Sequence, residues 1–264
     1  MTQASTSAIA AGGSGTGARV VRALALASVV LALAAGAAEL LAGVGYRLHW
    51  WGVGGGIRTM MGGTGAALLA LVLGVIALGM GPRLHASRRS LAAGVAGVAI
   101  GAVLAVPPLV HWRQAARLPP IHDISTDTEN PPRFVAVLPL RGDTSNPIDY
   151  SAEVAQAQKA GYPDLAPLTL ALPPAKAFAL AEGVARDMGW DIVAVSPADM
   201  RIEATATTLL FGFKDDVAIR ITPAAQGSRV DVRSVSRVGH SDLGTNAKRI
   251  RAYLDKLESL RPAA

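Results

Sequence analysis

The sequence predicts a two-part chain. Three membrane-spanning α-helices come first, then a soluble α+β domain with an antiparallel four-stranded sheet and helices on one face. Three observations lead there. Hydrophobic residues make up 51% of the 264 residues and charged residues only 17%, against roughly 25% charged in average soluble domains. Nearly all of that bias lies before residue 117, so the chain changes character once. Beyond that point, apolar residues recur at helical spacing in two segments and alternate in the segments between them.

Residues 1–22 read as a flexible N-terminus. Residues 23–112 hold three apolar runs at about 23–44, 60–80 and 91–110. Each reaches the roughly 20 residues that a bilayer-crossing helix needs, and the third ends at Pro107-Pro108. Charge supports this division. Residues 1–117 carry nine arginines and one acid, Glu39, whereas residues 118–264 carry sixteen basic and eighteen acidic side chains. The net charge of +6 and the pI near 10.1 therefore belong to the flanks of the spans. There they orient helices and meet anionic headgroups; they do not mark a nucleic-acid surface.

Arg83, Arg88 and Arg89 fill the short turn between the second and third runs. Arginine in short loops marks the cytoplasmic side. This predicts a multi-pass protein of the cytoplasmic (inner) membrane whose C-terminal domain is periplasmic or otherwise extracytoplasmic. A cleavable signal peptide ending at Ala35-Gly36-Ala37 is the alternative for the first run, which is rather long for one. Gly97 and Gly101 form a GxxxG suited to close packing within the bundle. Glu39 lies near the end of its span, where water, Arg47 or Arg58 would meet it.

The soluble part, residues 113–264, opens with a lead-in of about 118–172, rich in Pro, Asp, Asn and Thr, with one strand-like stretch at Arg133–Leu140. Pro173-Pro174 then starts a helix to about Met188, with Phe178, Ala181, Val184, Ala185 and Met188 on one face. Strands follow at Asp191–Val195, Arg201–Phe211, Asp216–Thr222 and Arg229–Arg237. A last helix at about Asn246–Leu260 buries Ala247, Ile250, Leu254 and Leu257.

Alternation puts Ile202, Ala204, Val217, Ile219, Ile221, Val230 and Val232 on the helix-covered face. Glu203, Asp216, Arg220, Asp231, Arg233 and Arg237 fall on the other. Three readings of that second face compete. It is a solvated surface of cross-strand ion pairs, a polar site where Arg220 and Arg233 grip an anion, or a layer covered by the proline-rich lead-in. The predicted ligand-binding set is Arg220, Arg233, Arg237, Glu203, Asp231, Asp242 and Asn246.

Other constellations are weaker. Gly239–Asn246 has the outline of a phosphate loop but lacks Lys-Ser/Thr after Gly244, so a turn capped by Asp242 or Thr245 is the simpler reading. His240-Ser241-Asp242 has no triad geometry. His122, Asp123 and Asp127 fall short of a closed zinc shell, and Asp215-Asp216 reads as a turn acid beside a strand charge. No motif calls for a cofactor, a metal or a catalytic residue.

The runs Ile202–Thr208, Phe213–Arg220 and Asp231–Ile250, with Leu118–Asp127 and Asn130-Pro131-Pro132 upstream, resemble the domain-of-unknown-function family numbered 1499. The resemblance implies a bacterial envelope or membrane-associated protein and supplies no catalytic residues; His240 stands where a basic or small residue is expected. The leading expectation is a non-catalytic envelope protein, anchored in the lipid bilayer. Its domain would bind an anionic small molecule, a lipid headgroup or another envelope protein. A hydrolase working through Glu203, Arg233 and Asp242, and a small transporter or channel subunit, are the alternatives.

Overall fold

The computed structural model describes residues 4–260. By internal contacts it divides into two compact units, one ending at Arg113 and one beginning at Gln114.

The first unit is helical: α1 (Ala4–Arg47), α2 (Val53–Met80) and α3 (Arg88–Ala115). The stretches Gly15–Arg47, Val53–Met80 and Arg88–Ala115 are each long and apolar enough to cross a membrane. All three helices run past the expected limits. Helix α1 takes in most of the segment expected to be flexible, and α3 continues through Pro107 and Pro108. Proline removes only its own N–H bond and a steric allowance one turn back, which a long apolar helix absorbs.

Small residues let these helices meet. A Cβ on Gly97 would lie 1.9 Å from Ser28 Oγ, and one on Gly101 would lie 2.8 Å from the Ala67 carbonyl. The GxxxG thus packs inside the unit, as expected. Ser28 Oγ donates to the Ala70 carbonyl at 2.7 Å. Glu39 Oε1 accepts from Thr64 Oγ1 of α2 at 3.1 Å.

The second unit is built on a sheet of six strands, not four. They are β1 (Asp123–Ser125), β2 (Leu168–Leu170), β3 (Asp191–Ser196), β4 (Arg201–Thr207), β5 (Lys214–Ala224) and β6 (Gly227–Ser236). The order is β1-β6-β5-β4-β3, all antiparallel, with β2 also on β6. The two unforeseen strands share one edge. β1 pairs with Arg233–Val235, and β2 with Ser228–Val230. At three residues each, they are too short to announce themselves by alternation.

The lead-in is more structured than its composition implies. It also contains α4 (Ala152–Gly161), capped by Ser151 Oγ, which accepts from the Val154 N–H. The expected strand at 133–140 is absent. That stretch instead ends in a 3-10 turn, Leu138–Leu140.

Helices α5 (Pro174–Asp187) and α6 (Thr245–Ser259) cover one sheet face as expected. Phe178, Ala181, Val184, Ile250, Tyr253 and Leu257 bury against Ile202, Val217, Ile219, Ile221, Val230 and Val232. Trp190 stacks on Tyr253 with centroids 5.2 Å apart. The opposite face has its own small apolar layer of Phe134, Val137, Ala218 and Val235, with Ile148 and Val193 packed against it. A register shift between Ile192 and Ala194 lets β3 send Val193 to this face, while Ile192 and Val195 pack with the main core. The lead-in therefore lies across the polar face, and the expectation of a solvated surface is corrected.

One glycine is obligatory by conformation. Gly227, in the β5–β6 turn, has φ +116°, and a Cβ there would stand 2.2 Å from the Leu170 carbonyl.

Candidate functional site

Strands β4, β5 and β6 are in register with Glu203 opposite Ala218, Thr205 opposite Asp216 and Arg220 opposite Asp231. Side chains of like parity therefore gather on one face, and the three carboxylates there, Glu203, Asp216 and Asp231, are all bound by arginines. Glu203 is fully buried. Its Oε2 accepts the N–H groups of Val135 (2.9 Å) and Val137 (3.0 Å), and its Oε1 accepts from Arg201 Nε at 2.9 Å. It thus ties the lead-in to the sheet. Asp216, also fully buried, accepts from Arg141 Nη1 (2.5 Å), Arg237 Nη2 (2.7 Å) and Thr205 Oγ1 (2.9 Å).

Arg233 is the most enclosed arginine of the predicted set. Its Nε and Nη2 grip Asp123 at 3.0 and 2.6 Å, Nη1 donates to the Pro132 carbonyl, and Nη2 donates to the Ile148 carbonyl. The rings of Phe134 and Tyr150 lie 5.0 and 5.4 Å from its guanidinium carbon. Burial and the nearby Asp123 charge raise the Tyr150 phenol well above its usual range.

Asp231 is shared by Arg220 (3.0 Å) and Arg229 (3.0 Å). Both arginines also reach Asp127, at 3.0 and 2.8 Å. Burial pushes the Asp127 carboxyl up, but the N–H groups of Asn130 and Glu129 and the Arg229 and Arg220 charges hold it below its ordinary value. Asp123 and Asp127, weighed above as metal ligands, thus face arginines.

The loop before α6 is a capped turn. Asp242 accepts the N–H groups of Gly244 (3.0 Å) and Asn246 (2.6 Å). Burial raises its carboxyl, and those same N–H bonds oppose the rise. Asn246 is fully buried. It accepts from Ser234 Oγ and donates to the His122 carbonyl and Ser236 Oγ. Asp215, adjacent to Asp216, points to the other face and pairs with Arg249 at 2.5 Å, so the two aspartates form no acid–base pair.

The polar face carries an opening. Asn130, Arg133, Asp199, Arg201 and Arg220 line a cleft of about 280 Å³. Arg133 is exposed and makes no ion pair among the described residues. Arg220 Nε is buried without a hydrogen-bond partner among them. Arg201 is held by Glu203 and by Asp199. Of the predicted ligand set, only Arg220 lines this cleft. Sequence reasoning missed Arg133 and Arg201, since their convergence depends on how the lead-in crosses the sheet.

A family model described as "Protein of unknown function (DUF1499)" matches residues 123–257, from the first residue of β1 to near the end of α6. A comparison with curated proteins gives no match.

Proposed function

Because the chain belongs to the DUF1499 family of proteins of unknown function, we propose a function from its own geometry: a non-catalytic, anion-binding domain tethered to a bacterial membrane by three spans, facing the extracytoplasmic side. The observation that carries this reading is the arginine cleft. Arg133, Arg201 and Arg220 line one small opening, and Arg133 is exposed and in no ion pair among the described residues. A guanidinium fork suits phosphate and carboxylate oxygens, and such an anion would meet the exposed fork of Arg133.

Arg233, Arg237, Glu203 and Asp231 support the cleft by holding the lead-in to the sheet, and Asp242 and Asn246 fix the start of α6. The full burial of Glu203 and the enclosure of Arg233 favour binding over hydrolysis. Spans whose only carboxylate is Glu39 argue against a transporter.

The test uses the full chain in detergent. Binding of inorganic phosphate and of pyrophosphate is measured by calorimetry, and binding of phosphatidylglycerol headgroups by native mass. Arg133→Gln is expected to weaken binding at least tenfold with an unfolding transition close to the parent's, and Arg220→Gln to weaken binding while also lowering stability, because it removes a partner of the buried Asp231. Retention of lipid alone would mark a headgroup site, and retention of phosphate a soluble one. Unchanged binding in both variants, or no binding of any of these anions, would overturn the reading.

A further inference from the structure

The second unit is polarised along its strands. Among its described residues, the exposed large apolar side chains are Val135, Leu138, Leu140, Leu209, Leu210, Leu243 and Leu260. Register places five of them at one end of the sheet. The Thr207–Lys214 pair closes the β4–β5 hairpin, whose loop carries Leu209, 94% exposed, and Leu210. Leu138 and Leu140 sit beside that end: Arg237 Nη1 donates to the Leu140 carbonyl, and the adjacent Arg141 pairs with Asp216. Leu243 follows Asp242, whose N–H donates to the Ile121 carbonyl.

This is also the end at which the chain arrives from its third span. The His122 carbonyl accepts from the Ser236 N–H, and Asp123 pairs with Val235. Helix α3 ends at Ala115, so only residues 116–122 precede β1. That linker reaches at most about 25 Å. The far end of the sheet is different in kind. It carries Asp199, Arg201, Arg220, Arg229, Asp231 and the polar β5–β6 turn at Gln226.

We propose that the leucine-bearing end of the soluble domain, led by the Leu209-Leu210 hairpin tip, inserts into the interfacial region of the bilayer that holds the chain's own spans. Leucine gains by leaving water, and a hairpin tip brings it to the acyl boundary without exposing a sheet edge. A short linker keeps this end close to the lipid and supplies the high effective concentration that a small apolar patch needs. A protein partner would need no such coincidence between the apolar end and the tether. The inference rests on the membrane reading of the three spans and not on the anion cleft. The anion cleft lies toward the other end of the strands, some six strand residues or roughly 20 Å away.

The chain contains no cysteine, so single-cysteine reporters are direct. Full-length Leu209→Cys, Leu140→Cys and Gln226→Cys proteins carry an environment-sensitive fluorophore in proteoliposomes of phosphatidylcholine and phosphatidylglycerol, with and without brominated lipids. Leu209 and Leu140 are exposed, so folding survives the change, and Leu140 stands in if the tip variant fails. Blue-shifted emission and strong quenching by brominated lipid are expected at positions 209 and 140, with neither at 226. Quenching at 209 and 140 no greater than at 226 overturns the proposal. So does a blue shift insensitive to brominated lipid, which would instead mark a protein contact, a second copy if it grew with protein density.

Discussion

Replacing Arg233 by alanine tests whether the polar face acts as internal structure. Arg233 is 4% exposed and its partner Asp123 is 3% exposed. The pair is bidentate, at 3.0 and 2.6 Å. Removing one member of such a pair leaves a buried charge without compensation, which costs about 3–5 kcal/mol. The Pro132 and Ile148 carbonyls lose a charged donor as well, and two aromatic rings lose the cation between them. These losses overlap, so the expected total is about 4–6 kcal/mol, a large share of a domain's roughly 5–15 kcal/mol. Arg233→Lys keeps the charge but not the fork, and should fall between the two.

Trp190 is the only tryptophan after residue 112, so its fluorescence follows unfolding of this unit in denaturant, with the full chain in detergent. The double variant Asp123→Asn/Arg233→Met removes both charges and should cost clearly less than the sum of the single changes. There is a pH signature too. Burial already raises the Asp123 carboxyl against the opposing Arg233 hydrogen bonds and charge, and in Arg233→Ala that opposition is lost and the carboxyl rises further. Its protonated form is then the better tolerated, so the defect is smallest below about pH 4 and grows as pH rises. A loss under about 1 kcal/mol at neutral pH, with strictly additive single effects, would refute the structural role.

Gly227→Ala should destabilise the domain by about 2 kcal/mol or more, because the new Cβ would collide with the Leu170 carbonyl; hydrogen exchange at Leu168 and Leu170 should rise before global unfolding. Tyr162→Phe should be neutral or stabilising by about 1 kcal/mol, since the buried hydroxyl has no hydrogen-bond partner among the described residues and its pKa is pushed up to about 12, chiefly by burial; equilibrium unfolding decides, and a clear loss would reveal a missed acceptor. For Asp127→Asn the sign runs the other way from Asp123 in Arg233→Ala. A depressed carboxyl contributes stability above its unfolded pKa of about 3.9 and loses it as pH falls. The gap between parent and variant in denaturant midpoint should therefore close toward pH 3, and a gap independent of pH would contradict the Arg220–Asp127–Arg229 network.

Local pattern carried much of this protein. The length and apolarity of three runs define candidate spans, because a bilayer demands roughly 20 apolar residues in succession and nothing distant alters that count. Period-two alternation sorted Val217, Ile219 and Ile221 from Asp216 and Arg220 correctly, since strand parity is a property of neighbouring residues. The Asp242 cap was legible for the same reason.

Only tertiary structure decided the rest. β1 and β2 exist because β6 offers an edge, and three residues hold too little alternation to show it. The polar face is interior because residues far away in the chain lie over it. Glu203 is satisfied by Val135 and Val137, and Arg233 by Asp123, 110 positions earlier. A charged side chain reads as surface until its partner is known, and that partner is chosen by strand register, which no short window contains. The convergence of Arg133, Arg201 and Arg220 on one cleft has the same origin: three strong local charges whose common address is set by the crossing of the lead-in over the sheet.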